Sequence, residues 1–296
     1  MKDYKIFVDS AANLTPELME EYDLDYAVMP VTVGDKVYPA TMGWIDISAK
    51  KIYELMDKGV VPHTSQINPN DFELKFEPYL EKGIDILYVA CSSGLSKSIN
   101  SAYIAKDTLL EKYPDNKIVI VDALIACVSQ GLLGMMASNL KKEGKTIEEV
   151  EQALIDNRLH YHQWGTVNTL EYLKNAGRVK TSSAFFGDLF GIKPILCADL
   201  QGRNYAFKKV RGRKNAIDAL ATLVKENVED PENHFIYIAQ AECMDDALLL
   251  KDKIQEYVPN CKEIRIIDIG WIVGCSTGPT TLNVYHYGKL RTIEGE

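Results

Sequence analysis

A serine-rich segment is the sequence feature best suited to bind an anion. Residues 91–96 read Cys-Ser-Ser-Gly-Leu-Ser and follow the apolar run Ile84–Ala90, which predicts a strand. In open α/β sheets, ligands bind at the carboxyl ends of strands, and the free N–H groups of a helix start attract anions. The candidate ligands of a carboxylate or phosphate are Ser92, Ser93, Gly94 and Ser96. Serine is also a favoured helix N-cap, so capping alone is an equally good interpretation.

A second group of hydroxyls lies earlier in the chain. Thr64 and Ser65 are followed by Gln66 in a predicted loop between Pro62 and Asn68. Threonine, serine and asparagine near prolines are common wherever a chain turns, so this loop could also be ordinary turn chemistry. The presence of two hydroxyl clusters makes a shared anion site the more interesting hypothesis.

An enzymatic alternative comes from residues 274–278, which match the G-x-S-x-G pattern of a hydrolase nucleophile elbow around Ser276. In that fold the acid and then the histidine follow the serine. His286 follows Ser276, but no Asp or Glu lies between them. A serine esterase or lipase using Ser276 is therefore the weaker hypothesis, and a binder of another amphipathic anion is a third.

Metal and nucleotide chemistry lack a complete motif. His160 and His162 would share one side of a strand, but no third ligand follows at a suitable spacing. The six cysteines contain no C-x-x-C pair, and neither a Walker A loop nor G-x-G-x-x-G after a strand is present. We therefore expect no metal, no cofactor and no catalytic residue.

Cations are concentrated in one part of the second half. Arg178 follows Gly177, which is suited to end a helix, and residues 208–214 contain five cations, Arg211 among them. Because the net charge is −9, a protein with a wholly basic nucleic-acid surface is excluded. The basic run could be a solvated surface, or it could dock a partner or contact phosphate.

The chain alternates strands and helices, which predicts parallel strands with crossover helices. Thr15, Asn68 and Thr146 are predicted helix N-caps, and Gly34-Asp35 predicts a hairpin. At 296 residues the length favours two α/β domains with mainly parallel sheets. We place their boundary near residue 158, giving domains 1–158 and 159–296.

The start lacks a signal-peptide pattern and no apolar run would span a membrane, so a cytoplasmic protein with at most transient membrane contact is expected.

A set of short motifs, taken in their order and spacing, resembles the DegV family over nearly the whole chain. The motifs are Asp9-Ser10, Thr64-Ser65-Gln66, Ser92-Ser93-Gly94-Leu95-Ser96, Gly177-Arg178-Val179, Gly191-Ile192-Lys193-Pro194-Ile195-Leu196, Arg211 and Gly278-Pro279.

The resemblance implies a bacterial fatty-acid-binding protein of two α/β domains, with a lipid tunnel between or within them. It also implies a partner, a fatty acid kinase that phosphorylates the bound fatty acid for phospholipid synthesis. Thr64 and Ser93 would hold the carboxylate, with Ser65, Ser92, Gly94 and Ser96 adjacent. Ser276 stands where the family commonly has a histidine near the head group, and Arg178 and Arg211 match arginines that dock the kinase.

Overall fold

A computed structural model describes residues 2–180 and 191–295. Their helices are α1 (Pro16–Glu21), α2 (Ala49–Asp57), α3 (Pro69–Leu80), α4 (Ser98–Lys112), α5 (Cys127–Lys142), α6 (Ile147–Asn157), α7 (Glu171–Asn175), α8 (Arg213–Asn227), α9 (Met244–Tyr257) and α10 (Trp271–Thr277). Their strands are β1 (Tyr4–Asp9), β2 (Leu24–Ala27), β3 (Pro30–Val33), β4 (Lys36–Pro39), β5 (His63–Thr64), β6 (Asp85–Ala90), β7 (Ile118–Asp122), β8 (Tyr161–Thr166), β9 (Ile192–Ala198), β10 (Asn204–Arg211), β11 (Phe235–Gln240), β12 (Glu263–Asp268) and β13 (Leu282–Tyr287). These elements confirm the predicted α/β class.

The first sheet is parallel, in the order β2-β1-β6-β7. Every residue of the central strand β6 is buried, as expected when helices cover both faces of a parallel sheet. The carboxyl ends of β1, β6 and β7 therefore lie side by side. This edge of the sheet carries the serine-rich segment.

The second sheet corrects the expectation of mainly parallel strands. Its order is β10-β9-β8-β13-β11-β12, and the β11–β12 pair is parallel whereas the other four pairs are antiparallel. The reason is partly local: residues 199–203 join β9 to β10, and so short a connection can form a hairpin but not a crossover. The alternation of strand and helix does not reveal this difference.

The local predictions at helix and hairpin ends are confirmed. The side chains of Thr15 and Asn68 accept hydrogen bonds from the first turns of α1 and α3, and Thr146 forms a capping box with Glu149. The two-residue turn Gly34-Asp35 joins β3 and β4. Because β5 pairs with β3 in the same small sheet, this hairpin fixes the position of Thr64.

Helix α5 packs between the two sheets. It is buried around most of its circumference, and it contacts β1 and β6 of the first sheet and β8 and β13 of the second. Gly134 permits a close approach, because a Cβ built on it would lie 2.8 Å from Cγ1 of Val8. One apolar core, containing Val8, Leu133 and Tyr285, is therefore shared by the two halves. The boundary predicted near residue 158 falls between α6 and β8. The predicted domains 1–158 and 159–296 include residues outside those described, and the division into two domains stays a prediction.

Candidate functional site

A cavity lies between the two halves, at the carboxyl edge of the first sheet. The volume that the centre of a water molecule can occupy inside the cavity is about 150 Å³. The total empty volume between the cavity walls, including the space at its open mouth, is about 930 Å³. This difference indicates a narrow cleft rather than a round chamber. It is lined by Ala11, Met29, Thr64, Ser65, Gln66, Cys91, Leu95, Ser96, Lys97, Ala126, Cys127, Gln163, Leu173, Arg178, Leu196, Asn204, Ile272, Val273, Ser276, Thr277 and Asn283.

The structure brings the two predicted hydroxyl clusters together at this cavity. Thr64 and Ser65 line it from the end of β5, and Ser96 lines it from the serine-rich segment. The clusters are linked by hydrogen bonds, because Ser98 Oγ accepts from the backbone N–H of Ile67 at 3.0 Å and from the Ser96 hydroxyl at 3.1 Å. Within residues 2–180 and 191–295, the hydroxyls of Thr64 and Ser65 have no hydrogen-bond partner. Both hydroxyls are available to a ligand.

The backbone amides of the serine-rich segment, in contrast, are already used. Asp9 Oδ2 accepts from Cys91 N at 2.8 Å, and Asp122 Oδ1 accepts from Ser93 N at 3.2 Å. The next three N–H groups, of Gly94, Leu95 and Ser96, donate to the side chain or carbonyl of Ser92. Moreover, α4 begins at Ser98, after the cluster rather than within it. The interpretation that helix-start amides of this segment bind the anion is therefore wrong, because protein acceptors occupy them.

Ser92, Ser93 and Gly94 are not among the cavity-lining residues. Ser92 is fully buried, and its hydroxyl accepts from Gly94 N at 3.1 Å. A Cβ on Gly94 would lie 2.6 Å from the carbonyl oxygen of Gln201, in the turn between β9 and β10. Ser92 and Gly94 thus fit the segment against the second half of the chain. Ser93 is half-buried beside them, and its contact with a carboxylate stays a prediction.

Arg178 lies at the cavity, and its predicted role in docking a partner stays a prediction. It lines the cavity, and its guanidinium donates to the carbonyl oxygens of Leu95 and Ala176, the former at 3.0 Å. It therefore ties the serine-rich segment to the end of α7. Arg211 is exposed at the end of β10, where a partner could reach it. Arg213, from the same basic run, is paired with Asp246 at 2.8 Å and supports the fold instead.

Besides Arg178, the described part of the cavity wall has one charged side chain, Lys97, and much of the rest is apolar. Leu95, Leu196 and Ile272 contribute aliphatic surface, and Cys91 and Cys127 contribute thiols. Burial raises the pKa of Cys127 to about 12 and also raises that of Cys91, so both thiols are neutral at physiological pH. The cavity can therefore accept a hydrocarbon chain along these walls.

Sequence analysis missed three polar residues of the second half that line the cavity. Gln163 donates to Asn204 at 2.9 Å, Asn204 donates to the carbonyl of Arg178 at 3.0 Å, and Asn283 donates to the hydroxyl of Tyr285 at 3.0 Å. They lie on β8, β10 and β13, strands distant in sequence. For Asn283 the available signal was an amide side chain within the largely apolar strand β13, but this signal does not indicate which cavity the strand faces.

The nucleophile-elbow interpretation of Ser276 is not supported by the geometry. Ser276 lies in the last turn of α10, not at a strand-to-helix turn, and its hydroxyl donates to the carbonyl of Ile272 at 2.9 Å. His286 is buried, and its Nε2 accepts from Trp164 Nε1 at 3.0 Å. Ser276 lines the cavity, so it stays a candidate ligand contact.

His160 and His162 are engaged by the backbone. Their ring nitrogens hydrogen-bond to the carbonyl oxygens of Gly288 and Lys289, at 2.8 and 2.6 Å. Across the described parts of the chain, no group of three or more His, Cys, Asp or Glu residues could hold a metal ion. Nor does any helix there combine the length and apolarity needed to cross a bilayer.

The fold and the site define a class: an α/β protein with a cleft between its two sheets, lined by apolar side chains and by hydroxyls of both predicted clusters. A model of the DegV family, described as uncharacterised proteins, matches residues 3–289, so the chain belongs to the DegV family. A DegV domain-containing protein of Clostridium perfringens is 37% identical over 291 residues, which cover 98% of this chain and 99% of the relative.

Two solved structures share the fold over nearly the full length. One is described as fatty acid binding of a DegV family protein from Thermus thermophilus; it has a TM-score of 0.88 and 25% identity, covering 97% of this chain and 100% of that one. The other is described as a DegV lipid-binding protein from Thermotoga maritima; it has a TM-score of 0.83 and 27% identity, covering 99% and 100%.

Proposed function

We propose that this protein binds a long-chain fatty acid, with the acyl chain in the cleft and the carboxylate at the two hydroxyl clusters. The observation that carries the proposal is the meeting of Thr64, Ser65 and Ser96 in the lining of one cleft, to which aliphatic side chains also contribute. The fatty acid bound by the Thermus thermophilus relative supports the same ligand class.

The acyl chain supplies the affinity. Burying about fifteen methylenes at roughly 0.8 kcal/mol each gives roughly 12 kcal/mol, from which association and ordering costs are subtracted. The carboxylate opposes binding, because a buried anion without partners costs several kcal/mol. The unpaired hydroxyls of Thr64 and Ser65 offset that cost by donating hydrogen bonds.

Mass spectrometry of lipid extracted from the purified protein tests this function. A stoichiometric free fatty acid is the expected result. A different amphipathic anion at full occupancy would replace the proposed ligand. Hydrolysis of a chromogenic ester that is lost in Ser276→Ala would instead favour the esterase alternative.

The role of the hydroxyl cluster is tested with Thr64→Val, which removes the hydroxyl and keeps the branched shape. After delipidation, we expect the fatty acid to bind the variant about tenfold more weakly, the effect of losing a hydrogen bond to a charged group. Thr222→Val, an exposed position on α8, is the matched control. Equal affinities of Thr64→Val and Thr222→Val would remove Thr64 from the site.

We further propose that the protein is not itself an enzyme but presents the carboxylate to a separate fatty acid kinase, which forms an acyl-phosphate for phospholipid synthesis in the bacterial cytoplasm. The open mouth of the cleft and the exposed Arg211 support this idea.

Arg211→Ala should lower kinase turnover and leave lipid affinity unchanged. Arg178→Ala should lower both, because Arg178 lines the cleft. Normal turnover in Arg211→Ala would exclude it from the docking surface.

A further inference from the structure

The charged side chains that line the cleft in the described parts of the chain have one sign. Among the described residues that line it, the charged ones are Lys97 and Arg178, and neither Asp nor Glu contributes to the lining. This contrasts with the chain as a whole, which carries a net charge of −9. A local surplus of positive charge in an acidic protein favours an anionic ligand at this position.

The two cations differ in how they are held. The guanidinium of Arg178 donates to the carbonyls of Leu95 and Ala176, so it is fixed in the wall. The ammonium of Lys97 makes no hydrogen bond or ion pair within residues 2–180 and 191–295, and its residue is exposed. Lys97 directly follows Ser96, whose hydroxyl belongs to the linked clusters. Its flexible side chain can therefore reach a head group that the hydroxyls hold.

We propose that Lys97 is the counter-ion of the ligand head group, and that it makes the cleft selective for the ionised form of an amphiphile over uncharged analogues of equal chain length. This inference rests on the proposed function. Hydroxyls donate to an alcohol or an ester as well as to a carboxylate, and they bring no positive charge that attracts only the ionised head group. With a carboxylate, an ammonium group forms an ion pair as well as a hydrogen bond, whereas an uncharged head group accepts the hydrogen bond without the attraction between opposite charges.

The test compares palmitic acid with 1-hexadecanol on the delipidated full-length protein. Displacement of a fluorescent fatty acid reports both affinities, after the affinity of the fluorescent probe has been measured for each variant. In Lys97→Met, affinity for the acid should fall about tenfold, as expected for one charge-assisted hydrogen bond, while affinity for the alcohol changes less than about twofold. Lys97→Arg should retain the preference for the acid. Lys50→Met, an exposed lysine on α2, should match the wild type.

Salt provides a second readout. The wild-type affinity for the acid should decrease between about 0.05 and 0.5 M NaCl more steeply than that of Lys97→Met, because screening acts on the charge pair. Unchanged acid affinity in Lys97→Met, or an equal loss for acid and alcohol, would overturn the role of Lys97 while leaving fatty-acid binding intact. Failure of the wild type to bind either ligand would instead overturn the proposed function.

Discussion

At the scale of single residues, two carboxylates shape the serine-rich segment. Asp9 and Asp122 end the strands on either side of β6 and accept hydrogen bonds from the segment between them. Asp9 is fully buried, and its oxygens accept from Ala11 N, Cys91 N and the hydroxyl of Tyr88. Burial raises the pKa of Asp9, and these donors oppose that rise. The segment is thus held in place before any ligand binds.

We expect Asp9→Asn to destabilise the protein by about 1–3 kcal/mol and to weaken fatty-acid binding. Both oxygens of Asp9 accept from backbone N–H groups, so an amide NH₂ in place of either oxygen would face another donor. Urea denaturation and ligand titration measure the two effects. Asp107→Asn, on the exposed face of α4, is the control. Wild-type stability of Asp9→Asn would show that the segment holds its conformation without this carboxylate.

Two buried histidines give the protein a specific sensitivity to acid. His162 and His286 stack with ring centroids 4.9 Å apart. Burial lowers the pKa of His162 to about 4 and that of His286 to about 3, whereas an unfolded chain titrates near the ordinary value of about 6.5. Between the lowered pKa values of the folded protein and the ordinary value of about 6.5, the unfolded state therefore binds more protons than the folded state. The stability associated with the neutral rings is complete above pH 6.5 and is lost as the pH falls toward 4.

We predict that His162→Gln reduces this acid sensitivity. Between pH 7 and pH 5, the shift for His162 corresponds to a loss of about 2 kcal/mol, which the variant should lack. Glutamine can keep the hydrogen bond to the carbonyl of Lys289. The free energy of unfolding, measured at both pH values for the wild type, His162→Gln and the exposed-site control His63→Gln, checks this prediction. Parallel pH profiles for all three proteins would contradict it.

At the scale of elements, the cleft depends on how the serine-rich segment meets the β9–β10 turn. Gly94 approaches the carbonyl of Gln201, and Gly202 approaches the side chain of Ser92. Arg178 adds its hydrogen bond to the carbonyl of Leu95 from the end of α7. These contacts join the carboxyl edge of the first sheet to the second sheet beside the cleft, which Leu95 and Arg178 line.

Gly94→Ala should therefore destabilise the protein by about 1–3 kcal/mol, since the new methyl group would overlap a backbone carbonyl that must shift. Lipid affinity should fall as well, because the turn and the segment would separate. Thermal unfolding and ligand titration report the two changes. Asn100→Ala, exposed on α4, serves as the control, and equal melting temperatures of the two variants would argue against the close contact.

At the scale of the whole molecule, the halves share a core although each has its own sheet. Helix α5 places Leu133 and Met135 in the same apolar cluster as Tyr237 and Tyr285 of the second sheet. The interface between the halves is thus continuous with the interior rather than a separate wet surface. The cleft opens beside this shared core, at the first turn of α5, where Cys127 lines it.

We expect the chain to unfold in one cooperative transition and the fragment 1–158 to be unable to form a compact native state by itself. The fragment would expose the face of α5 that packs on β8 and β13. Far-UV circular dichroism and tryptophan fluorescence should give coincident midpoints for the full chain, and the fragment should bind a hydrophobic dye. Two separate transitions, or a fragment with sharp amide resonances, would show independent domains.

The sequence by itself determined the local structure and the chemical type of the site. Helix caps and hairpins depend on residues within a few positions of one another, so they could be predicted from the sequence. This holds for the caps Thr15, Asn68 and Thr146 and for the turn Gly34-Asp35. The strand–helix alternation gave the α/β class, and motif order led to the DegV family. Thr64, Ser65, Ser96 and Ser276 were identified as candidates, and all four line the cleft.

The tertiary structure alone decided which groups are free to bind. Contacts between residues far apart in sequence set the pairing direction in the second sheet and place Arg178 in the cleft wall. They also bring Gln163, Asn204 and Asn283 to the cleft. The amides of the serine-rich segment looked available, yet Asp9 and Asp122 from neighbouring strands already accept two of them. A hydrogen-bond donor can serve a ligand only if the fold leaves it unpaired, and that depends on every neighbour the chain brings near.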